Sequence, residues 1–424
     1  MDQPLLRYLT WGIVRKISFR FFFLYYFFII FFWLAGVSFF MLPYVNKVQD
    51  FYNRPWTVWS DWVTQKILHI KSFDFSGFWT SWAWSVLFSL LLLITIITII
   101  WSVADRKRNN YNELLQWLII YVRYYVGFTM ILYGVIKIFE NQFPFPDLSN
   151  LNRTYIDSTP GAIMHTFMGA SRSYTLFTAF GEMIGGTLLL FRRTVLLGTL
   201  IVVAVMSNVV MINFSYDFGA KFFSFNVLLM ALFLLTTDMK RVVNLFLLNK
   251  PVPATEKPLL LTRKWLKTAR IILKPLLIIY VLFFYIDMVL EGQKKYGRDI
   301  PKPPLYGIYN VITFVRVKDT LPPLTTDSIR WNKMIVNRQD WQGVEIKLMN
   351  DKPENYNYKP DTLKKSIILV LQTDTIIRYV FNYQLPEKDI LVLQGKWKGD
   401  SVYIRMRKYD INKSRFFGNK FRWI

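Results

Sequence analysis

The chain has 424 residues, of which 53% are hydrophobic, 18% aromatic and only 19% charged, against about 25% charged in an ordinary soluble domain. Such a composition marks a membrane protein. Lys and Arg exceed Asp and Glu by 52 to 28, a net charge of +24, and in so apolar a chain this excess orients loops or meets anionic lipid, with no nucleic-acid partner expected. The chain has no cysteine, which excludes a disulfide, a thiolate metal site, an iron–sulfur cluster or a redox dithiol of its own. Its two histidines, His69 and His165, both lie outside the apolar runs, which excludes a haem held by a pair of intramembrane histidines. The first 20 residues lack a small-residue cleavage site and read as a mature, anchored N-terminus.

Seven apolar stretches approach the length needed to cross about 30 Å of hydrocarbon. In chain order they are 19 to 41, 83 to 103, 115 to 139, 174 to 191, 194 to 213, 221 to 237 and 271 to 290. The aromatic run Phe19 to Phe32 in the first reads as lipid-facing bulk. Between the first two spans, Trp56, Trp59, Trp62, Trp79, Trp82 and Trp84 suit an interfacial belt with a short amphipathic helix. The fourth and fifth spans are separated only by Arg192 and Arg193, a tight hairpin that also admits one crossing fewer. With the N-terminus cytoplasmic, the inside segments hold 17 basic residues and the outside ones 7. The positive-inside rule therefore places the N-terminus in the cytoplasm of a bacterial inner membrane and the C-terminus in the periplasm.

After Pro301 the pattern changes to period-two alternation of β-branched and aromatic residues. Strands are predicted at 308 to 317, 331 to 337, 343 to 349, 366 to 372, 376 to 383, 390 to 397 and 401 to 408. Hairpin-length breaks fall at Thr373–Asp374, Leu385–Lys388 and Gly399–Asp400. These segments form an antiparallel meander, closed as a small barrel or folded as a sandwich. Its strand rhythm is similar to that of calycin-like barrels, which hold apolar ligands. From Glu291 onward there are 25 Lys and Arg against 14 Asp and Glu, suited to an anionic leaflet or an acidic partner. The stretch from Gly292 to Pro304 reads as a linker. The domains expected are 1–114 with two membrane helices and a Trp-rich outer loop, 115–240 as a four-helix core, 241–304 with a basic loop, last helix and linker, and 305–424 as the β domain.

Ionisable groups within lipid are costly and mark candidate sites. Arg123 in the third span and Glu182 in the fourth each lie about nine residues from the inner end of their span, roughly 13 Å deep. With Asn208 and Asn226 they predict a buried polar cluster built on an Arg123–Glu182 ion pair. Such a cluster serves either as a head-group, proton or quinone site or only as a device that fixes helix register. Gly127, Gly134, Gly181, Gly185 and Gly186 would let the helices approach closely. At the outer end stand Lys137, Glu140, His165 and Asp217, the last read as a turn residue. The segment 160 to 173 is expected to be helical, either re-entrant or lying on the surface. No Walker loop, dinucleotide fingerprint, HExxH, serine elbow or metal-spaced carboxylate cluster occurs in the sequence.

Residues 115 to 240 resemble the DoxX family of small four-helix membrane proteins. The resemblance rests on Arg123, Gly127, Gly134 and Lys137 in one helix and on FGEMIGGTLLLFRR from Phe180 to Arg193. It implies a subunit of a membrane oxidoreductase assembly, with Arg123, Lys137 and Glu182 as functional candidates and a quinone or lipid as ligand. No covalent cofactor and no metal are implied, the partners being the bilayer and another protein of the complex. The extra helices and the β domain depart from the family pattern and leave open a non-catalytic scaffold or assembly chaperone. A lipid or small-molecule transporter has less behind it, since no inverted repeat is visible.

Overall fold

The computed structural model describes residues 10–34, 45–70, 81–252, 264–297, 300–338, 343–414 and 416. The chain divides into two compact units, one of Met1–Ile138 with Leu176–Met288, the other of Phe139–Thr175 with Val289–Ile424.

The first unit is helical. Helix α1 (Ile13–Phe28) continues as a π-helical turn over Ile29–Leu34, and it is followed by α2 (Val45–Lys66), α3 (Ser81–Ala104) and α4 (Asn112–Ile138). Next in this unit come α7 (Arg172–Leu190), α8 (Val195–Ser215), α9 (Lys221–Thr236), α10 (Met239–Val242) and α11 (Lys264–Tyr296). The ends of α7 and α11 belong to the second unit, as do α5 (Leu148–Leu151) and α6 (Pro160–Ala170). Among the described residues, four segments are long and apolar enough to cross a membrane: Trp84–Ala104, Asn112–Ile138, Val195–Ser215 and Ile271–Lys294. Lys221–Thr236 qualifies only together with Met239–Leu247, across a bend of 72°. The predicted first span is described as far as Leu34, and its remainder lies outside the described residues. The Trp-rich stretch holds a 22-residue helix, α2, longer than the short one expected.

The aromatic run is packed along one face, correcting its reading as lipid-facing bulk. Phe19, Leu24, Tyr25, Tyr26, Ile29 and Ile30 are buried in the bundle core, whereas Phe22 and Phe27 are exposed. Polar anchors accompany them. Arg20 Nε donates to Tyr111 Oη at 2.9 Å, Tyr111 in turn donates to Asp105 Oδ2 at 2.8 Å, and Tyr25 Oη donates to Asn226 Oδ1 at 2.6 Å. Buried polar groups are tolerated in such a core because they are hydrogen-bonded.

Among the described residues the second unit is built on nine antiparallel strands: β1 (Gly307–Arg316), β2 (Asp319–Thr320), β3 (Trp331–Val336), β4 (Val344–Leu348), β5 (Pro353–Asp361), β6 (Ser366–Leu371), β7 (Arg378–Glu387), β8 (Ile390–Trp397) and β9 (Asp400–Lys408). Strand β1 pairs with both β3 and β9, so eight strands close into a barrel, and β2 is a two-residue arm on β1. Of the two architectures expected, the barrel is the one formed. Alternation sends Phe314, Trp331, Tyr356, Phe381 and Trp397 inward, all nearly or completely buried. The Trp331 and Trp397 rings meet edge to face at 4.9 Å, and Tyr379 packs on Trp397 at 4.4 Å. An eight-stranded barrel leaves room for side chains or one small ligand, and here aromatic side chains form the interior. The β8–β9 hairpin turns at Lys398–Gly399, where both φ values are positive, 49° and 95°, the conformation that matches strand twist in a two-residue loop.

Residues 139–175, expected within the four-helix core, group with the barrel. Leu148 of α5 packs with Ile308 and Ile335 on the outer barrel face. Asn337 Nδ2 donates to Ser149 Oγ at 2.9 Å, and Ser149 N donates to Asn337 Oδ1 at 3.2 Å. Lys333 and Lys347, directly opposite each other on β3 and β4, donate to Asn152 Oδ1 and Asn152 O, each at 3.1 Å. Two cations thus meet the carbonyl end of α5, where the helix dipole favours positive charge. The expected linker begins later than predicted, because α11 remains helical to Tyr296, and its end is fixed by Asn141 Nδ2 donating to Val289 O (2.9 Å) and Gln293 Nε2 to Phe139 O (3.1 Å).

Candidate functional site

Helices α4 and α7 run antiparallel and touch through glycines. A Cβ on Gly186 would lie 2.6 Å from Gly127 O and 2.9 Å from Met130 Cβ, and one on Gly134 would collide with Met183 Cγ and lie 2.9 Å from Ala179 O. These contacts set the stagger: Gly127 lies beside Gly186, and Gly134 beside Ala179. Gly181 is different, its nearest neighbour being Val205 at 3.5 Å.

That stagger decides which ions meet. Helical side chains lean toward the N-terminus of their own helix, so on antiparallel neighbours Lys137 and Glu182 lean toward each other. They form a buried ion pair, with Lys137 Nζ donating to Glu182 Oε1. The Arg123–Glu182 pair expected from the sequence is not made. Arg123 precedes Lys137 by 14 residues, about 21 Å along a helix, and its side chain leans the other way. Arg123 is buried, with its guanidinium 5.1 Å from the Tyr124 ring centre. On the same tyrosine lies Lys274 of α11, which also donates to Leu190 O at 2.6 Å and caps α7.

The amides separate as well. Asn226 is buried and bonded to Tyr25, and its Nδ2 donates to Phe222 O at 2.9 Å. Asn208 is exposed on α8 and does not join the cluster. The predicted four-residue cluster is therefore dispersed over separate contacts, and Lys137, expected at the outer end, is the true partner of Glu182.

The remaining outer-end candidates each sit in local contacts of their own. Glu140 has a positive φ of 58° just beyond α4 and pairs with Arg172 at 3.2 Å. His165, on α6, packs its ring 5.2 Å from that of Phe143, and burial holds its pKa below 6.5. Asp217 is an exposed residue with φ 50° that pairs with Lys221 four residues on, in keeping with its reading as a turn residue. Asp147 N-caps α5 through Asn150 N at 2.7 Å, and burial raises its pKa. Among the described residues no group of three or more His, Asp or Glu is placed to hold a metal ion.

One feature of the Lys137–Glu182 pair is chemically open. Glu182 is 3% exposed, and its Oε2 is buried with no hydrogen-bond partner among the described residues. Leaving such an oxygen unsatisfied is costly. The ammonium of Lys137 uses one donor on Glu182 and has others to offer. A donor and an acceptor thus stand side by side within the apolar bundle.

No family model and no solved structure matches the chain. A stretch of 129 residues, 29% of the chain, is 33% identical to 79% of an uncharacterized protein, YwoB, of Bacillus subtilis (strain 168). Identity at that level over most of the relative's length places the chain in the family of this Bacillus subtilis protein.

Proposed function

We propose that the chain is a DoxX-like integral membrane subunit of a quinone-linked oxidoreductase complex, with Lys137 and Glu182 as the place where a quinone or lipid head group is taken up. The observation that carries this reading is the unsatisfied Glu182 Oε2 beside the Lys137 ammonium. A quinone head group presents a carbonyl to accept from Lys137, and its reduced form presents a hydroxyl to donate to Glu182. The ammonium would polarise the carbonyl, and the carboxylate would hold or pass the proton. The cation beside Glu182 is Lys137 in place of the expected Arg123. Electrons would come from a partner protein and pass to the quinone, which takes up two electrons and two protons to become the hydroquinone, since the chain lacks cysteine and a histidine pair within the apolar runs.

In this reading seven segments cross a bacterial inner membrane, with the N-terminus cytoplasmic and the barrel periplasmic, where it engages the partner or a ligand. The charge bias of the loops supports this orientation, and a periplasm-active reporter fused after Ile424 that stayed silent would contradict it. The functional test is mass spectrometry of the gently purified complex. A stoichiometric oxidoreductase partner together with bound quinone is expected, and bulk lipid alone would overturn the redox assignment.

A second reading, a non-catalytic scaffold or assembly chaperone, is favoured by one observation. Lys137 and Glu182 neutralise each other at a glycine-packed interface, as a register-fixing pair does. Under it, disrupting the pair changes stability and nothing else.

A further inference from the structure

The two rims of the barrel differ in what they expose. The chain enters at Gly307, and only residues 297–306 separate that strand from the end of α11, a reach of about 35 Å at full extension. At the entry rim the β5–β6 turn presents Leu363, 95% exposed, followed by Lys364 and Lys365. The turn is held in shape by Asp361 Oδ1, which accepts from Leu363 N at 3.0 Å and Lys364 N at 2.9 Å. Tyr383 N donates to Lys365 O at 2.8 Å, so β7 runs on beside the turn and brings Leu385, 55% exposed, to the same rim, with Lys388 just beyond.

Three acids of this rim are engaged. Asp361 is held by backbone, Glu387 pairs with Arg405 at 3.5 Å, and Asp389 with Arg407 at 3.7 Å. Lys364, Lys365 and Lys388 have no acidic partner among the described residues, where the ion pairs of this rim involve other cations. The opposite rim also exposes apolar residues, Ile376 at 87% and Val317 at 61%; Asp374 accepts from the Ile376 N–H as Asp361 does from that of Leu363, but Ile377 and Arg378 follow it where the entry-rim turn has Lys364 and Lys365. Two cations of that rim are paired, Arg316 with Asp400 and Lys398 with Glu354, and the turns there also carry Lys318 and Lys352.

We propose that the entry rim rests on an anionic lipid surface, with Leu363 and Leu385 at the head-group boundary and Lys364, Lys365 and Lys388 over the lipid phosphates. An apolar tip flanked by unpaired lysines matches such a surface in both hydrophobicity and charge. The inference rests on the chain being embedded in a membrane and is independent of the quinone assignment.

Because the chain has no cysteine, Leu363→Cys and Ile376→Cys each give one labelling site, and both are exposed turn positions outside the barrel core. The full chain carrying an environment-sensitive fluorophore at one site is placed in nanodiscs of phosphatidylcholine and phosphatidylglycerol containing nitroxide-labelled lipid. The expected result is quenching several-fold stronger at position 363 than at 376. Adding Lys364→Ala and Lys365→Ala should reduce the lipid-contacting fraction about fivefold per charge removed, as should omission of phosphatidylglycerol. Equal quenching at the two sites, or stronger quenching at 376, would overturn the proposal. Strong quenching at 363 that ignores both the lysines and the lipid charge would overturn its electrostatic half.

Discussion

Asn337, at the end of strand β3, and Ser149, in the short helix α5, exchange two hydrogen bonds: amide to hydroxyl at 2.9 Å and backbone N–H to amide oxygen at 3.2 Å. Both residues are buried. Through this pair a connector between two helices of the bundle becomes part of the barrel's outer wall. Replacing Asn337 with Ala removes both bonds and strands the Ser149 groups. The unit should lose about 2–3 kcal/mol, and amides of 147–152 should exchange faster than those of the barrel strands, as hydrogen-exchange mass spectrometry would report. Unchanged protection there would mean that Leu148 packing and the Lys333 and Lys347 bonds to Asn152 hold α5 without the pair.

The glycine contacts give a graded expectation for the helix interface. Gly186→Ala puts a methyl 2.6 Å from Gly127 O and should destabilise the bundle by about 1–3 kcal/mol, the usual range for overpacking. Gly181→Ala, whose nearest neighbour is 3.5 Å away, should be neutral or stabilising, because alanine is the better helix former. Equal thermal unfolding of the two variants in detergent would contradict the stagger that brings Lys137 to Glu182.

The pH response of the second unit has an expected sign. Burial lowers the pKa of His165 below 6.5, so the unfolded chain takes up the proton first. Stability from this residue is full above 6.5 and is lost as pH falls through that value toward the lowered folded one. Asp147 acts in the opposite sense at lower pH. Its pKa is raised by burial, so its contribution is complete below 3.8 and declines as pH rises through the raised value. His165→Gln should therefore flatten the loss of protection of α6 below 6.5. An unchanged pH slope would show that other groups produce it.

What was legible in the sequence follows from what each feature depends on. Apolar length and period-two alternation are local, and they located the described helices other than the four-residue α5 and α10, and seven of the eight barrel strands. Strand β5, Pro353–Asp361, was missed because PENYNYKPD has two prolines, two asparagines and two acids, a composition that signals a turn. It is a strand because both neighbours pair with it and Tyr356 fills the interior, while Pro353 opens the strand and Pro360 lies near its other end. The choice of Lys137 over Arg123 depends on the offset between α4 and α7, set by glycines pressing on a facing backbone. Counting residues from helix ends locates Cα atoms but not the direction in which side chains lean. The docking of residues 139–175 on the barrel rests on partners such as Ser149 and Asn337, 188 positions apart, which leave no periodic signal.

The Lys137–Glu182 pair separates the redox and scaffold readings when it is replaced whole. Glu182→Gln alone leaves a buried ammonium unpaired and should cost about 3–5 kcal/mol, whereas an apolar pair of similar volume is often neutral or stabilising. The decisive measurement compares the wild-type chain with the Lys137→Met, Glu182→Leu double variant in nanodiscs, recording bound quinone per chain by mass spectrometry alongside thermal unfolding. Near-wild-type unfolding with quinone lost is the expected result. A double variant that keeps its quinone would contradict the assignment and leave the pair a device of helix packing.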